Sequence, residues 1–232
     1  MRKRTILYVK MYPENNQIIY SGIIFAEFVE FLPKGIENLI IISGDCSTAV
    51  LGTRDERCFT LLEGREQLQR LAMEDIYSFG DFCFVDYASP DDLCTLSEGQ
   101  ITELLYMGHM YKPLENPFFD QIQNRFAYIS HDDGFFCKLY CREFNDFFSI
   151  LLSKIAFHAK IPEVVDSKKL KDELFQLAIS GILIDLDDMY QRDKCSIVRV
   201  YTVGEHLDMD NILNDVQGVK GAATQVDEFV LQ

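Results

Sequence analysis

Five side chains suited to metal binding or acid–base work fall within one fourteen-residue stretch, YISHDDGFFCKLYC, from Tyr128 to Cys141: His131, Asp132, Asp133, Cys137 and Cys141. An imidazole beside two carboxylates is the donor set of a metal-dependent hydrolase, in which a bound ion activates water. Such a centre needs further ligands, and His109, His158 and His206 stand at no ligand spacing to it. The two thiols, four residues apart in an extended strand, lie about 13 Å from one another and cannot hold one ion. They share a strand face with Phe135 and Leu139, which reads as core. Asp132-Asp133-Gly134 suits a tight turn, because glycine takes positive φ and aspartates bond the local backbone. The stretch is therefore expected to be a hairpin whose exposed tip, His131, Asp132 and Asp133, makes contacts with a partner rather than performing chemistry. A hydrolase built on the same three residues is the alternative.

The remaining reactive groups have weaker settings. Cys46 in SGDCSTAV sits near a turn but has no adjacent histidine and no nucleophile elbow. DLDDMY and EHLDMDNILND resemble calcium loops in composition only, since neither has Gly at the sixth position together with Glu at the twelfth; both are expected to be solvated acidic loops. Neither the P-loop nor the dinucleotide glycine pattern is present. No catalytic residue, metal or cofactor is expected.

Charge narrows the partner. Thirty-seven acidic residues against 22 basic give a net charge of −15, which repels nucleic-acid backbones and anionic membranes and favours a basic protein. An acidic inhibitor that mimics nucleic acid is a further alternative. Seven widely spaced cysteines, mostly in apolar runs, point to reduced thiols and a cytoplasmic location. No run reaches the length of a membrane span, and the basic start MRKRTILYVK lacks the features of a signal peptide.

The elements that must position these residues follow from periodicity. TILYVKMY and NLIIIS read as strands, with a helix between them that places Ile24, Phe25, Phe28, Val29 and Leu32 on one face and has Ser21 available as its cap, an extended reading of QIIYSGIIF competing with it. TAVLG and CFTLL read as short strands, and Gly64 to about Tyr77 as a helix. DFCFVDYA is expected to be a central strand, apolar on both faces, with Asp86, Asp91 and Asp92 on or just after it. Ser97 and Gln100 have capping-box spacing ahead of a helix burying Ile101, Leu104, Leu105 and Gly108. After the hairpin, Phe144, Phe147, Phe148, Leu151, Leu152 and Ile155 form one helical stripe. SKKLKDELFQLAISG reads as a helix burying Leu170, Leu174, Leu177 and Ala178, and CSIVRVYTV as a strand. GVKGAATQVDEFVLQ is expected to be weakly structured or docked on another element.

Three segments carry a family resemblance: FGDFCFVDY, RFAYISHDDGFFCKLYC and REFNDFFSILL, within residues 77–155, resemble the SUKH superfamily of immunity-type and regulatory proteins. Tyr128, His131, Asp132 and Asp133 match its strand ending in an aromatic and "xHD"; Phe144, Phe147 and Phe148 match its last helix. The resemblance implies an α+β fold with a central sheet, no catalysis, and binding to a protein, often a toxin that is neutralised. The expectation is an α+β SUKH-like domain over residues 1–160, with a mixed or antiparallel sheet, and a helix-and-strand extension over 161–232 packed on it. Its function would be that of an immunity or inhibitor protein facing a basic toxin or nuclease through Asp86, Asp91, Asp92, His131, Asp132 and Asp133.

Overall fold

Local rules build the first hairpin. Ile6–Tyr12 (β1) is buried along both faces, while Gln17–Ser21 (β2) alternates. Between them Asn16 closes a 3-10 turn at Pro13–Asn15 with a left-handed φ of 50°, a conformation that asparagine tolerates. The computed structural model describes residues 5–43, 53–54, 59–76, 80–107, 117–130, 136–161, 168–204, 212 and 215–231.

The turn out of β2 depends on Gly22. Its φ is +89°, and a Cβ there would lie 2.1 Å from the Ile6 carbonyl oxygen. Helix α1 (Phe25–Phe31) then starts on Ile24, whose N–H donates to the Glu27 carboxylate at 3.1 Å. Ser21 is the last residue of β2 and takes no part in the cap, so the helix begins later than its apolar spacing implies. Ile24, one residue outside the helix, is half-exposed rather than buried.

Among the described residues ten further strands and six further helices follow. Asn38–Ser43 (β3), Thr53–Arg54 (β4) and Thr60–Glu63 (β5) lead into Arg65–Met73 (α2); Phe82–Tyr87 (β6) leads into Pro90–Leu93 (α3) and Glu98–Met107 (α4). Phe126–Ser130 (β7) and Cys137–Cys141 (β8) form the expected hairpin, with Phe126 opposite Cys141 and Ser130 opposite Cys137. Phe144–Ala159 (α5) and Lys168–Ser180 (α6) precede Ile182–Asp185 (β9), Tyr190–Arg192 (β10), Cys195–Thr202 (β11), Val216–Gly221 (α7) and Gln225–Leu231 (β12).

All described strands join one sheet. Reading across it, β12 pairs β11; β9 and β10 lie in succession along the other flank of β11; then come β1, β2, β8, β7, β6, β3, β5 and β4. Every described pairing is antiparallel. Residues beyond 161 are thus continuous with the sheet through β9 on β1, where Leu7 faces Ile184.

The sheet's two faces are covered differently. On the first, α1, α2, α5 and α6 bury one continuous core. Its centre is aromatic: Phe84 stacks on Tyr128 at 4.9 Å, and Phe25 meets Phe82, Phe84 and Tyr128 edge-on. On the second face, α3, α4 and residues 117–124 cover Ile40, Cys83, Val85, Ala127 and Ile129, while α7 covers Tyr8, Leu183 and Tyr201. Helices set against an antiparallel sheet define an α+β fold. None of the described helices is long and apolar enough to cross a membrane.

One expectation is overturned and another is narrowed. DLDDMY is not a solvated loop: Asp185 is 1% exposed and pairs with Lys220 of α7, which also holds Asp188, while Asp187 accepts the Thr5 N–H at 2.8 Å. The lysine that neutralises this cluster lies 35 residues downstream of Asp185, beyond the reach of local pattern. Of the two readings of the last segment, the docked one holds. It forms α7 and β12, a strand at the sheet's margin in which only Phe229 is buried, hence its weak alternation. EHLDMDNILND lies almost wholly outside the described residues, as does Cys46.

Candidate functional site

Asp86, expected at a partner-binding surface, is 5% exposed and points into the first face of the sheet. Its carboxylate accepts the backbone N–H of Phe126 at 2.7 Å and of Arg125 at 2.9 Å, and the Arg125 guanidinium stands 3.7 Å away. Burial pushes its pKa up from 3.8 to about 6, against the opposing pull of those N–H donors and of Arg125. Arg125 also donates to the carbonyls of Lys34 and Gly35 and approaches Asp146 at 3.8 Å. Asp86 therefore ties the start of β7 to β6 and, through Arg125, to the α1–β3 connection and the first turn of α5. This inward role explains why an aspartate occupies a strand of otherwise apolar residues, and it removes Asp86 from any accessible surface.

Asp91 and Asp92 lie elsewhere. They occupy the single turn of α3, which follows β6 on the second face of the sheet, so the structure does not bring them together with Asp86. Asp91 is exposed and Asp92 half-buried; the carbonyl of Asp92 accepts the N–H and Oγ1 of Thr95 at 3.1 and 2.6 Å. Thr95 closes α3 ahead of the next cap.

That cap is the one legible in the sequence. The Ser97 N–H donates to Gln100 Oε1 at 3.0 Å, and the Gln100 N–H returns to Ser97 Oγ at 3.3 Å. Helix α4 then turns Leu104 and Met107 into the second-face core and leaves Glu98, Thr102 and Glu103 outside. Leu105 is a correction: expected to be buried, it is 43% exposed, beside Tyr106 at 45%. The buried stripe follows Ile101, Leu104 and Met107, and Leu105 lies about 100° around the helix from Leu104. Residues 88–107 contain four carboxylates, Asp91, Asp92, Glu98 and Glu103, and no lysine or arginine. The result is an acidic helical surface with two large apolar side chains at its end. Sequence reasoning found Asp91 and Asp92 but missed Leu105 and Tyr106. The signal for them was two consecutive large apolar residues, too wide a stripe for one buried helix face.

His131, Asp132 and Asp133 lie outside the described residues. The strands that hold them are in place, and the thiols that flank them are structural. Cys137 Sγ lies 3.0 Å from the Tyr128 hydroxyl, and Cys141 Sγ donates to the Glu143 carbonyl at 3.0 Å. Burial raises the pKa of Cys141, and that of Cys83 to about 12, which keeps both as thiols. Among the described residues no group of three or more His, Cys, Asp or Glu side chains is arranged to hold a metal ion. No family model matches the chain, and neither curated proteins nor solved structures yield a match.

Proposed function

We propose that the chain is a protein-binding module of SUKH-like, immunity or inhibitor type, which neutralises a basic toxin or nuclease by covering it with the α3–α4 surface. One observation carries this reading: twenty consecutive residues, 88–107, present four carboxylates, no basic side chain, and a half-exposed Leu105 and Tyr106. Aromatic and aliphatic anchors supply most of an interface's binding energy once water is excluded around them. Carboxylates around them steer a cationic partner and reject anionic ones. The net charge of −15 extends that steering over the whole molecule. Such a role asks for a stable, complementary face and no reactive group.

The test begins with capture of partners on the tagged protein at low and high salt, followed by titration of the purified partner. Tyr106→Ala together with Leu105→Ala should weaken the complex by about 10- to 100-fold with folding intact. Neutralising Asp91, Asp92, Glu98 and Glu103 to their amides should slow association and flatten its salt dependence. Affinity unchanged in both variants would remove this surface and the proposal with it. Competition by duplex DNA would show that the partner's nucleic-acid site is the one covered.

A further inference from the structure

The two margins of the sheet are built differently. At one, β4 is two residues long, the short edge strand with which proteins discourage strand addition. At the other, β12 runs seven residues in unbroken register with β11, from Gln225 opposite Thr202 to Leu231 opposite Ser196. Among the described residues its outer edge pairs with no strand. Its protection is limited to two acidic side chains, Asp227 and Glu228: among the described residues QVDEFVL has no proline, no lysine and no bulge. Val226 and Val230 are 50% and 47% exposed on its second face.

On the first face, a cleft of about 780 Å³ opens between β12 and α6. Its walls carry Asp172, Glu173, Asp227 and Glu228 against Lys168 and Lys169. Two of these acids are already matched: Glu173 lies 3.7 Å from Lys169, and Glu228 meets Arg192 and Arg199. Among the described residues Asp172 has no ion-pair partner and Asp227 accepts only from the Gln225 amide. Phe229 forms an apolar floor between them.

We propose that β12 is a docking edge for an extended segment of a partner protein that carries lysine or arginine at alternate positions, and that this segment adds to the sheet as its outermost strand. Main-chain hydrogen bonds to β12 supply affinity, and side-chain alternation supplies specificity. Every second side chain enters the α6–β12 cleft, where a cation meets Asp172 and Asp227. The intervening side chains lie against Val226 and Val230, where β-branched residues pack well. A second copy of this chain is the poorer occupant. In the antiparallel register that sets Val226 opposite Val230, Glu228 faces Glu228, and each copy brings a charge of −15. This edge is separate from the α3–α4 surface and goes beyond the inhibitor reading.

The probe is a seven-residue peptide alternating valine and lysine, with a valine–glutamate peptide as control, titrated into the intact protein and followed by backbone NMR and amide exchange. The lysine peptide should bind, shift the resonances of residues 225–231 and slow exchange along the outer edge of β12; the glutamate peptide should not. Asp172→Lys, at an exposed position, with Asp227→Lys, at a half-buried one, should lower the affinity at least tenfold, whereas amides at Asp91, Asp92, Glu98 and Glu103 should leave it within twofold. Val230→Lys, which adds the missing edge protection, gives a second variant with the same expected loss. Binding without change at β12, or unaltered by both variants, overturns the proposal. A concentration-dependent dimer with β12 protected would overturn it in favour of a second copy.

Discussion

Burial sets the behaviour of Asp86, whose carboxylate is held by two N–H donors and Arg125 yet titrates near 6. Because the folded value exceeds the ordinary 3.8, the folded chain holds this proton more tightly than the unfolded chain does. The associated stability is complete below about pH 4 and is lost as the pH rises through 6. At 1.36 kcal/mol per pH unit the loss comes to about 3 kcal/mol. Asp86→Asn, which keeps an acceptor for the two N–H groups, should therefore be less disadvantaged at pH 7 than at pH 4 relative to wild type; parallel denaturation curves at the two pH values would contradict this. Lys220 obeys the complementary rule. Its side chain is 7% exposed between Asp185 and Asp188, so Lys220→Met leaves a buried carboxylate without its cation and should cost about 3–5 kcal/mol in chemical denaturation. Adding Asp185→Asn should restore part of that loss. Alternation along FCFVDY marked Asp86 as a strand residue, but only the fold shows that its partners come from residues 125 and 126, some forty positions away.

At the scale of elements, the sequence was most readable where a short local pattern decides the element. The stripe of α5, the capping box of α4, the hairpin of β7 and β8 and the two-sided strand β6 all follow from period, cap or turn chemistry within a dozen residues. The misreadings cluster where an element is marginal. Helix α4 has enough apolar residues for a wider stripe than the sheet covers, so Leu105 was assigned inward and is found outside. Strand β12 buries one side chain, Phe229, and so barely alternates. The proposed binding surfaces are built on these surplus or unpaired features, because a side chain or edge the sheet leaves exposed is accessible to a partner. The cap of α4 links the two. Ser97→Ala removes the acceptor of the Gln100 N–H and should cost about 1 kcal/mol of stability. Since α3 and α4 are joined through residues 94–97, fraying there should also loosen Asp91 and Asp92 and weaken partner binding beyond the global loss. Tenfold weaker binding with a full folding baseline at the assay temperature is the expected result, and unchanged binding would show that the first turn of α4 lies outside the interface.

Across the whole molecule, long-range pairing decides the architecture. Strand β1 is joined to β9 from the far end of the chain, Ile6 opposite Asp185, and no local pattern encodes that register. The pairing places α3–α4 and β12 at separated parts of one sheet: seven strand steps divide β12 from β6, about 34 Å at roughly 4.8 Å per step. An inhibitor needs one of these surfaces; a scaffold uses both at once, and the spacing leaves room for both. Their electrostatic coupling is then set by salt. At 0.15 M ionic strength the Debye length is about 8 Å, so a cationic partner on α3–α4 is screened from β12; at 0.01 M it is about 30 Å, comparable with the separation. Each cationic ligand reduces a field that sums over a charge of −15, so at low salt the first should weaken the second. Titrating the valine–lysine peptide with and without saturating partner should give affinities equal within twofold at 0.15 M and a several-fold loss at 0.01 M. Mutual exclusion at both salt concentrations would mean that the partner already occupies β12 and that the two surfaces act as one.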